Sequence, residues 1–309
     1  KLYLNIPQKE VHPGQLVTVC IKAVNRHVIF LGKQQFQIGV AYLNTPGNEK
    51  EMLQCDGVTE KVQQTMAEFS PKHCGIAQID IEKVFLQDYL GLIGTQKNFR
   101  GGCQLAVLPE PVLSTRIRTG MEKQQEYRYS AVADDDSDIL DLRAFRPGDN
   151  LNHIHWNLSL RTDDLIVRQY GEQIDVKKVI LVDLSILNTA QYRSRMDAVY
   201  TAVASIANLY VENEVNTLIL AWNGQKQSAE YLEVHDRTEL NRAMIRLMQI
   251  PCSSRAGEHA AAVYLKDIEA QGQQALFVTA GSYENNKVRI VNVEKIQLQE
   301  LIDELWEKI

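Results

Sequence analysis

Apolar residues along this chain follow two rhythms, and the change from one to the other divides the sequence. Over residues 1 to about 112 the rhythm is that of short strands separated by turns. Leu16 to Val24 is rich in β-branched residues and follows the turn pair Pro13-Gly14. Phe36 to Tyr42 alternates with period two and stops at Asn44-Thr45-Pro46-Gly47. Ile76, Gln78, Asp80 and Glu82 alternate with Ala77, Ile79, Ile81 and Lys83, which predicts one wet face and one dry face. A last strand, Cys103 to Leu108, ends at Pro109-Glu110-Pro111. Several short strands at this spacing predict a β-sandwich-like domain over 1–112, whose function is not readable from the residues.

Residues 113–137 carry many charges and end in Ala133-Asp134-Asp135-Asp136-Ser137. A calcium loop needs alternating oxygen ligands, a turn glycine and a distal Glu at fixed spacing. None of these follows, so the segment reads as a solvated linker. From 138 the texture changes, and 138–309 is expected to form the rest of the protein. Ile139 to Arg143 and Leu165 to Arg168 are strand-like, and Arg146-Pro147-Gly148-Asp149 makes a turn between them. Asp149 suits a cap on the short segment carrying Ile154, Trp156 and Leu158. Trp156 is expected as a core anchor.

After 175, strand and helix patterns alternate. Val179 to Val182, Leu218 to Trp222, Ala275 to Val278 and Val288 to Val291 are apolar runs of buried-strand length, and Gln227 to Val234 suits an edge strand. Between them, Met196, Val199, Val203, Ile206 and Tyr210 mark one face of a long helix. Leu240, Ala243, Met244, Leu247 and Met248 mark a second, and Ala261, Leu265 and Ile268 a third. Leu298, Leu301, Ile302, Leu305 and Trp306 close the chain with an amphipathic helix. This alternation predicts a doubly wound, Rossmann-type α/β domain with helices on both faces of a parallel sheet. The fold class is therefore α/β plus all-β.

Bulk properties narrow the function. At 309 residues about two domains are expected, and 45% hydrophobic with 23% charged residues fits ordinary globular protein. A net charge of −6 excludes the basic balance that nucleic acid or anionic lipid would favour. Cys20, Cys55, Cys74, Cys103 and Cys252 are an odd set without a CxxC pair, which suits reduced thiols in a cytoplasmic setting. No stretch approaches the ~18 consecutive apolar residues of a membrane span, and no signal peptide precedes the first strand. Because the chain begins at Lys1 in strand-like sequence, it is expected to be a fragment, with an anchor allowed upstream.

In an open parallel sheet, ligands bind beyond the carboxyl ends of the strands. Here that edge carries Asp183-Leu184-Ser185, Asn223-Gly224 and Thr279-Ala280-Gly281-Ser282. GxGxxG, GxxxxGK[ST] and GxSxG are all absent, so dinucleotide, triphosphate and serine-hydrolase chemistry lack sequence support. No complete catalytic site is visible.

The run Leu142-Arg143-Ala144-Phe145-Arg146-Pro147-Gly148-Asp149, followed by Ile154-His155-Trp156, Ser159, Arg161 and Leu165 to Arg168, resembles the signature of the bacterial domain-of-unknown-function 58 family. Leu181 to Ser185 then stands where that family begins a von Willebrand factor A-like domain, and Asp88 to Leu92 resembles its preceding β-rich region. The resemblance implies a membrane-tethered protein whose soluble part faces the cytoplasm at the inner or plasma membrane. It also implies association with a MoxR-type AAA+ ATPase, a chaperone-like or assembly role, and no established enzymatic activity.

The von Willebrand A fold often holds a divalent metal on a D-x-S-x-S motif with a Thr and an Asp from later loops. Mg²⁺ wants about six hard oxygens. This chain keeps Asp183 and Ser185 but has Leu187 at the second serine, Thr279-Ala280 without the carboxylate, and Gly257 where the loop threonine is expected. The expectation is a degenerate site without bound metal, Asp183 and Ser185 forming a solvated turn, with Mg²⁺ binding or adhesion as the alternative. The candidate reactive residues elsewhere fare no better. His153 and His155 point about 200° apart if helical. The arginines Arg143, Arg146, Arg161 and Arg168 suit carboxylate binding or ion pairs with Asp141, Asp149 and Asp163. Cys252 lacks an identifiable base, His259 lying seven residues on. The expected function is a non-enzymatic protein-interaction module, with the edge at Asp183, Ser185, Thr279 and Ser282 as its surface and the membrane reached through a segment absent from this chain.

Overall fold

The computed structural model describes residues 2–24, 31–43, 50–57, 62–88, 90–99, 101–114, 139–146, 154, 156–162, 165–170, 177–185, 191–267, 275–283 and 288–308. The architecture is mixed α/β with several sheets, and strands predominate. The chain divides into two compact units, one of Lys1–Ser114 with Lys177–Ile309 and one of Thr115–Val176.

The N-terminal part contributes β1 (Leu2–Asn5), β2 (Glu10–Val11), β3 (Val17–Val24), β4 (Leu31–Tyr42), β5 (Glu51–Gly57), β6 (Val62–Phe69), β7 (Gly75–Asp88), β8 (Gly94–Asn98) and β9 (Gly102–Val107). One sheet runs β1-β3-β6 and the other β2-β9-β7-β4-β5, with β8 added to β7. Their inner faces share one apolar cluster: Val17, Val19 and Ile21 of β3 meet Phe36 and Ile38 of β4, Ile79 and Ile81 of β7 and Leu105 of β9. Alternate side chains of each strand supply this face because strands have period two.

β7 departs from a simple alternation. Its pairing with β4 shifts between Gln37 and Ile38, so that Lys83 faces Gln37 but Ile81 faces Ile38, and Glu82 is the extra residue. The inserted residue moves the buried set from Ile79 and Ile81 to Val84. Ile76 is buried as well, so the expected wet face does not extend to the strand's start.

The 115–176 unit is described over β10 (Ile139–Ala144), α1 (Trp156–Thr162) and β11 (Ile166–Tyr170). β10 and β11 pair antiparallel, with Arg143 opposite Val167 and Leu142 opposite Arg168. Ser159 is buried, and its Oγ accepts a 2.9 Å bond from the Ile166 amide. Trp156 is 57% exposed, contrary to the expected core anchor. Helical side chains lean toward the N-terminus, so a residue at the first helical position projects past the helix end. Ile154 takes the buried place instead. Pro147, Gly148, Asp149, His153 and His155 lie outside the described residues.

The C-terminal part continues with β12 (Lys178–Val182), α2 (Tyr192–Glu212), β13 (Thr217–Asn223), β14 (Ser228–Val234), α3 (Arg237–Gln249), α4 (Ala256–Asp267), β15 (Ala275–Thr279), β16 (Arg289–Asn292) and α5 (Leu298–Trp306). The sheet order is β14-β13-β12-β15-β16. β12, β13, β15 and β16 are parallel, and the edge strand β14 is antiparallel. Val179, Leu181, Leu220 and Phe277 form one face with Ala260 and Tyr264 of α4. The buried stripe of α2, including Met196, Val199, Val203, Ile206 and Tyr210, serves the rest of the core together with α3 and α5. α3 starts at an Asp236 cap whose carboxylate accepts from the Glu239 amide at 2.7 Å.

Side chains also join the two halves of this unit. Ser205, buried inside α2, accepts from the Val112 amide at 2.9 Å, and Ser114 donates to Asp303 of α5 at 2.5 Å. Leu113 and Ser114, the first residues of the expected linker, are thus pinned to the helices; residues 115–137 lie outside the described residues. No helix among the described residues is long and apolar enough to cross a membrane.

Candidate functional site

β12 is buried along nearly its whole length, so Asp183 is the first charged residue to emerge at its carboxyl end. The chain leaves β12 toward β13 on one side and reaches β15 on the other only later, which makes this end the point where strand order reverses. Three of the residues expected at the site do converge there. Thr279 Oγ1 donates to Asp183 Oδ2 at 2.6 Å, and Ser185 Oγ donates to Asp183 Oδ1 at 2.5 Å. The Ser185 amide adds a 3.0 Å bond to the same Oδ1.

Both hydroxyls are used from two sides. Thr279 Oγ1 accepts from the Gly281 amide at 2.9 Å, and Ser185 Oγ accepts from the Gly257 amide at 3.4 Å. The carboxylate accepts only, so each hydroxyl proton points to Asp183 and one lone pair of each hydroxyl to an amide. Ser282, the fourth expected residue, is exposed beside this network. Asn292, at the end of β16, was not singled out in the sequence, yet its Nδ2 donates to the Gly281 carbonyl at 2.8 Å. Its only sequence signal is a polar residue ending an apolar run.

Gly257 comes closer to the carboxylate than its place in the sequence suggests. A Cβ there would lie 2.6 Å from Asp183 Oδ1, 2.8 Å from Asp183 Cγ and 2.9 Å from Phe277 Cζ. Arg255, at φ 65°, turns the chain into α4 so that the helix start meets Asp183. Gly224 allows a similar approach by Ser253, where an added Cβ would meet Ser253 Oγ at 2.5 Å.

One carboxylate and two hydroxyls are grouped here, and a Mg²⁺ ion would have to fill its remaining positions with water and displace bonds that both carboxylate oxygens already accept. Among the described residues, no three His, Cys, Asp or Glu side chains are grouped as a metal would need. Leu187 lies outside the described residues. Of the signature arginines, Arg146 and Arg161 are exposed.

A second cluster was invisible in the sequence because its members are far apart. Asp197 of α2 accepts from His73 Nδ1 at 2.7 Å through Oδ2 and from the Cys74 amide at 2.8 Å through Oδ1. Beside it lies a cavity of about 30 Å³, room for about one water, lined in part by Tyr42, Cys74, Tyr192 and Tyr200. Burial, with the Asp197 charge adding to it, pushes the Cys74 thiol up to about 12. Burial likewise raises Cys252, whose Sγ accepts from the Tyr192 hydroxyl at 2.7 Å. Both are held as neutral thiols at neutral pH, and a thiol rather than a thiolate is a poor nucleophile. His259 stacks on Trp222, ring centroids 4.8 Å apart.

No curated protein matches the chain. Among solved structures, the CARDB domain of a Pyrococcus furiosus protein in complex with di-metal ions aligns at 11% identity and TM-score 0.23, over 35% of this chain and 88% of that one. The sporulation control protein Spo0M of Bacillus subtilis aligns at 12% identity and TM-score 0.22, over 47% of this chain and 57% of that one. Cwp6 from Clostridium difficile aligns at 7% identity and TM-score 0.21, over 99% of this chain and 40% of that one. At TM-scores this low the likenesses establish neither fold nor activity. Residues 141–288, the span that holds Asp183, Ser185, Gly257 and Thr279, match the model of the family described as protein of unknown function DUF58.

Proposed function

We propose that this chain is a non-enzymatic protein-interaction module, the cytoplasmic part of a membrane-anchored protein that works with a MoxR-type AAA+ ATPase in assembling or maturing other proteins. In this proposal the C-terminal part is a von Willebrand A-like domain, a reading supported by the reversal of strand order at β12 and by the antiparallel edge strand β14. The observation that carries it is the state of Asp183, the carboxylate at the strand ends, where this kind of sheet places its ligands. Thr279 and Ser185 donate to that carboxylate from within the chain, and Gly257 packs against it. A side chain fixed in this way shapes a surface more readily than it ligates a metal or transfers a proton.

The test is binding between this chain and a MoxR-type ATPase of the same organism, measured by calorimetry. Ser282→Arg and Glu258→Arg place bulk and charge at exposed positions next to the network. At least a tenfold loss of affinity in both, with unchanged melting temperature, is expected. Unaltered affinity, or no binding by the unmodified chain, refutes the proposal. Melting with Mg²⁺ or Mn²⁺ addresses the metal-dependent adhesion alternative: a ligand bound only by the native state must raise the midpoint. A rise at millimolar metal would favour adhesion.

A further inference from the structure

The β7–β8 hairpin carries three large apolar residues where nothing covers them. Leu90, Leu92 and Ile93 are 73%, 78% and 73% exposed, more than any other large apolar side chain among the described residues. The turn that presents them is fixed by its own bonds. The Gly91 amide donates to the Asp88 carbonyl at 3.0 Å, the Asp88 amide to the Ile93 carbonyl at 2.9 Å, and the Ile93 amide to Asp88 Oδ1 at 2.9 Å. Gly91 takes φ 68° to close the turn, and an added Cβ there would meet no atom within 4 Å. The result is a preformed apolar wedge facing solvent.

Strand register places the wedge within the sandwich. Asp88, the last residue of β7, pairs with Leu31 at the start of β4, and Gln34 pairs with Gly57 at the end of β5. In the other sheet, Leu2 pairs with Ala23 and Val62 with Val24, at the end of β3. Only residues 25–30 separate β3 from β4, and only 58–61 separate β5 from β6. Links this short do not run the length of the strands, so both sheets bring these ends, and the start of β1, to the wedge's end of the sandwich.

The charge there differs from that of the whole chain, which is −6. Within three positions of these strand ends the described residues supply Lys22, Lys33 and Lys97 against Asp56 and Asp88. Lys33 pairs with Asp56 at 3.1 Å, and Asp88 Oδ1 is engaged by the turn. Lys22 and Lys97 are exposed and meet no carboxylate among the described residues. Lys97 follows Gly94 by three residues on β8, about 10 Å at ~3.3 Å per residue, which puts its ammonium among lipid headgroups when the wedge reaches the acyl boundary. A protein groove would account for the leucines but not for the unpaired lysines.

We propose that the β7–β8 tip inserts into the surface of an anionic lipid bilayer, with Leu90, Leu92 and Ile93 at the acyl boundary and Lys22 and Lys97 among the headgroups. In the reading above an anchor precedes β1, which starts at this same end, so anchor and tip would meet one bilayer. The tip itself requires neither the anchor nor the ATPase.

Sedimentation of the whole chain with phosphatidylcholine vesicles containing one-quarter phosphatidylserine tests it. No described helix can cross a membrane, so the assay reads the tip without an anchor, and failure of the anchored reading leaves its result standing. Binding should exceed that to pure phosphatidylcholine at least fivefold, and ~1 M salt, with a Debye length of ~3 Å, should remove the difference. Lys97→Gln should weaken binding about fivefold, the factor for ~1 kcal/mol per lysine at an anionic surface. Leu92→Ser combined with Ile93→Ser should weaken it at least tenfold, and because both positions are exposed the melting temperature should not move. Absence of binding by the unmodified chain at millimolar lipid, or equal binding by the folded double variant, overturns the proposal. Self-association that the double variant removes, without vesicle binding, also overturns it and assigns the wedge to a second copy.

Discussion

Gly257→Ala tests whether the close approach at Asp183 is built in. In an exposed helix, replacing Gly with Ala stabilises by up to about 1 kcal/mol. Here the new methyl would sit 2.6 Å from Asp183 Oδ1 and 2.9 Å from Phe277 Cζ, inside the distance Cβ atoms tolerate. Asp183 cannot swing aside freely, because Thr279 holds one oxygen at 2.6 Å and Ser185 the other at 2.5 Å. Releasing either bond costs about 1 kcal/mol, and overpacking a tight contact costs about 1–3. Set against the gain in helix propensity, the net is a destabilisation of about 1–2 kcal/mol, visible as a lower urea midpoint with unchanged slope. The partner is identified by a double-mutant cycle. In an Asp183→Ala background two of the three short contacts vanish, so Gly257→Ala should cost at least 0.5 kcal/mol less there. A raised midpoint for Gly257→Ala, or equal costs in both backgrounds, would refute the contact.

Three further outcomes are expected. Asp197→Asn leaves His73 and the Cys74 amide with a weaker acceptor and should destabilise the chain by about 1–3 kcal/mol, read by thermal melting. Cys74 and Cys252 should resist iodoacetamide at pH 8 in the native protein and react once it is unfolded, as mass spectrometry of peptides would show; rapid native labelling of either contradicts their half-buried, neutral state. The Cys74 thiol titrates near 9 when unfolded but at about 12 in the fold, so below pH 9 both states keep the proton and the stabilisation is whole. Between pH 9 and 12 only the unfolded state loses it, stability falls, and the urea midpoint should drop across that window; Tyr42, raised by burial from 10 to about 12, acts in the same direction.

The regular elements were legible because their signals are local. Strand and helix periods placed Val179 to Val182, the Met196 to Tyr210 stripe and the Leu240 to Met248 stripe where the structure has β12, α2 and α3. The same patterns predicted strands over 139–143 and 165–168, and the structure has strands at 139–144 and 166–170; that these two pair came only from the structure. Trp156 failed as a core residue because composition reports what a side chain prefers, whereas its position at the start of α1 decides what covers it. The break in the alternation of β7 was likewise hidden, since a bulge is a property of the pairing with β4 rather than of β7 alone.

The candidate site shows the same division. From the residue order it follows that Asp183, Ser185 and Thr279 stand at the ends of two buried strands, because an apolar run must stop where the chain reaches water. That these three hydrogen-bond one another, that Gly257 closes over the carboxylate, and that Asn292 braces the loop depend on β15 pairing beside β12 and on the turn into α4. His73 and Asp197, separated by 124 positions, carry no mutual sequence signal at all. Local periodicity encodes the elements because backbone hydrogen bonds and side-chain direction repeat over a few residues. Contacts between distant residues arise only when whole elements pack, and that packing decided which polar groups are satisfied and which cavities remain.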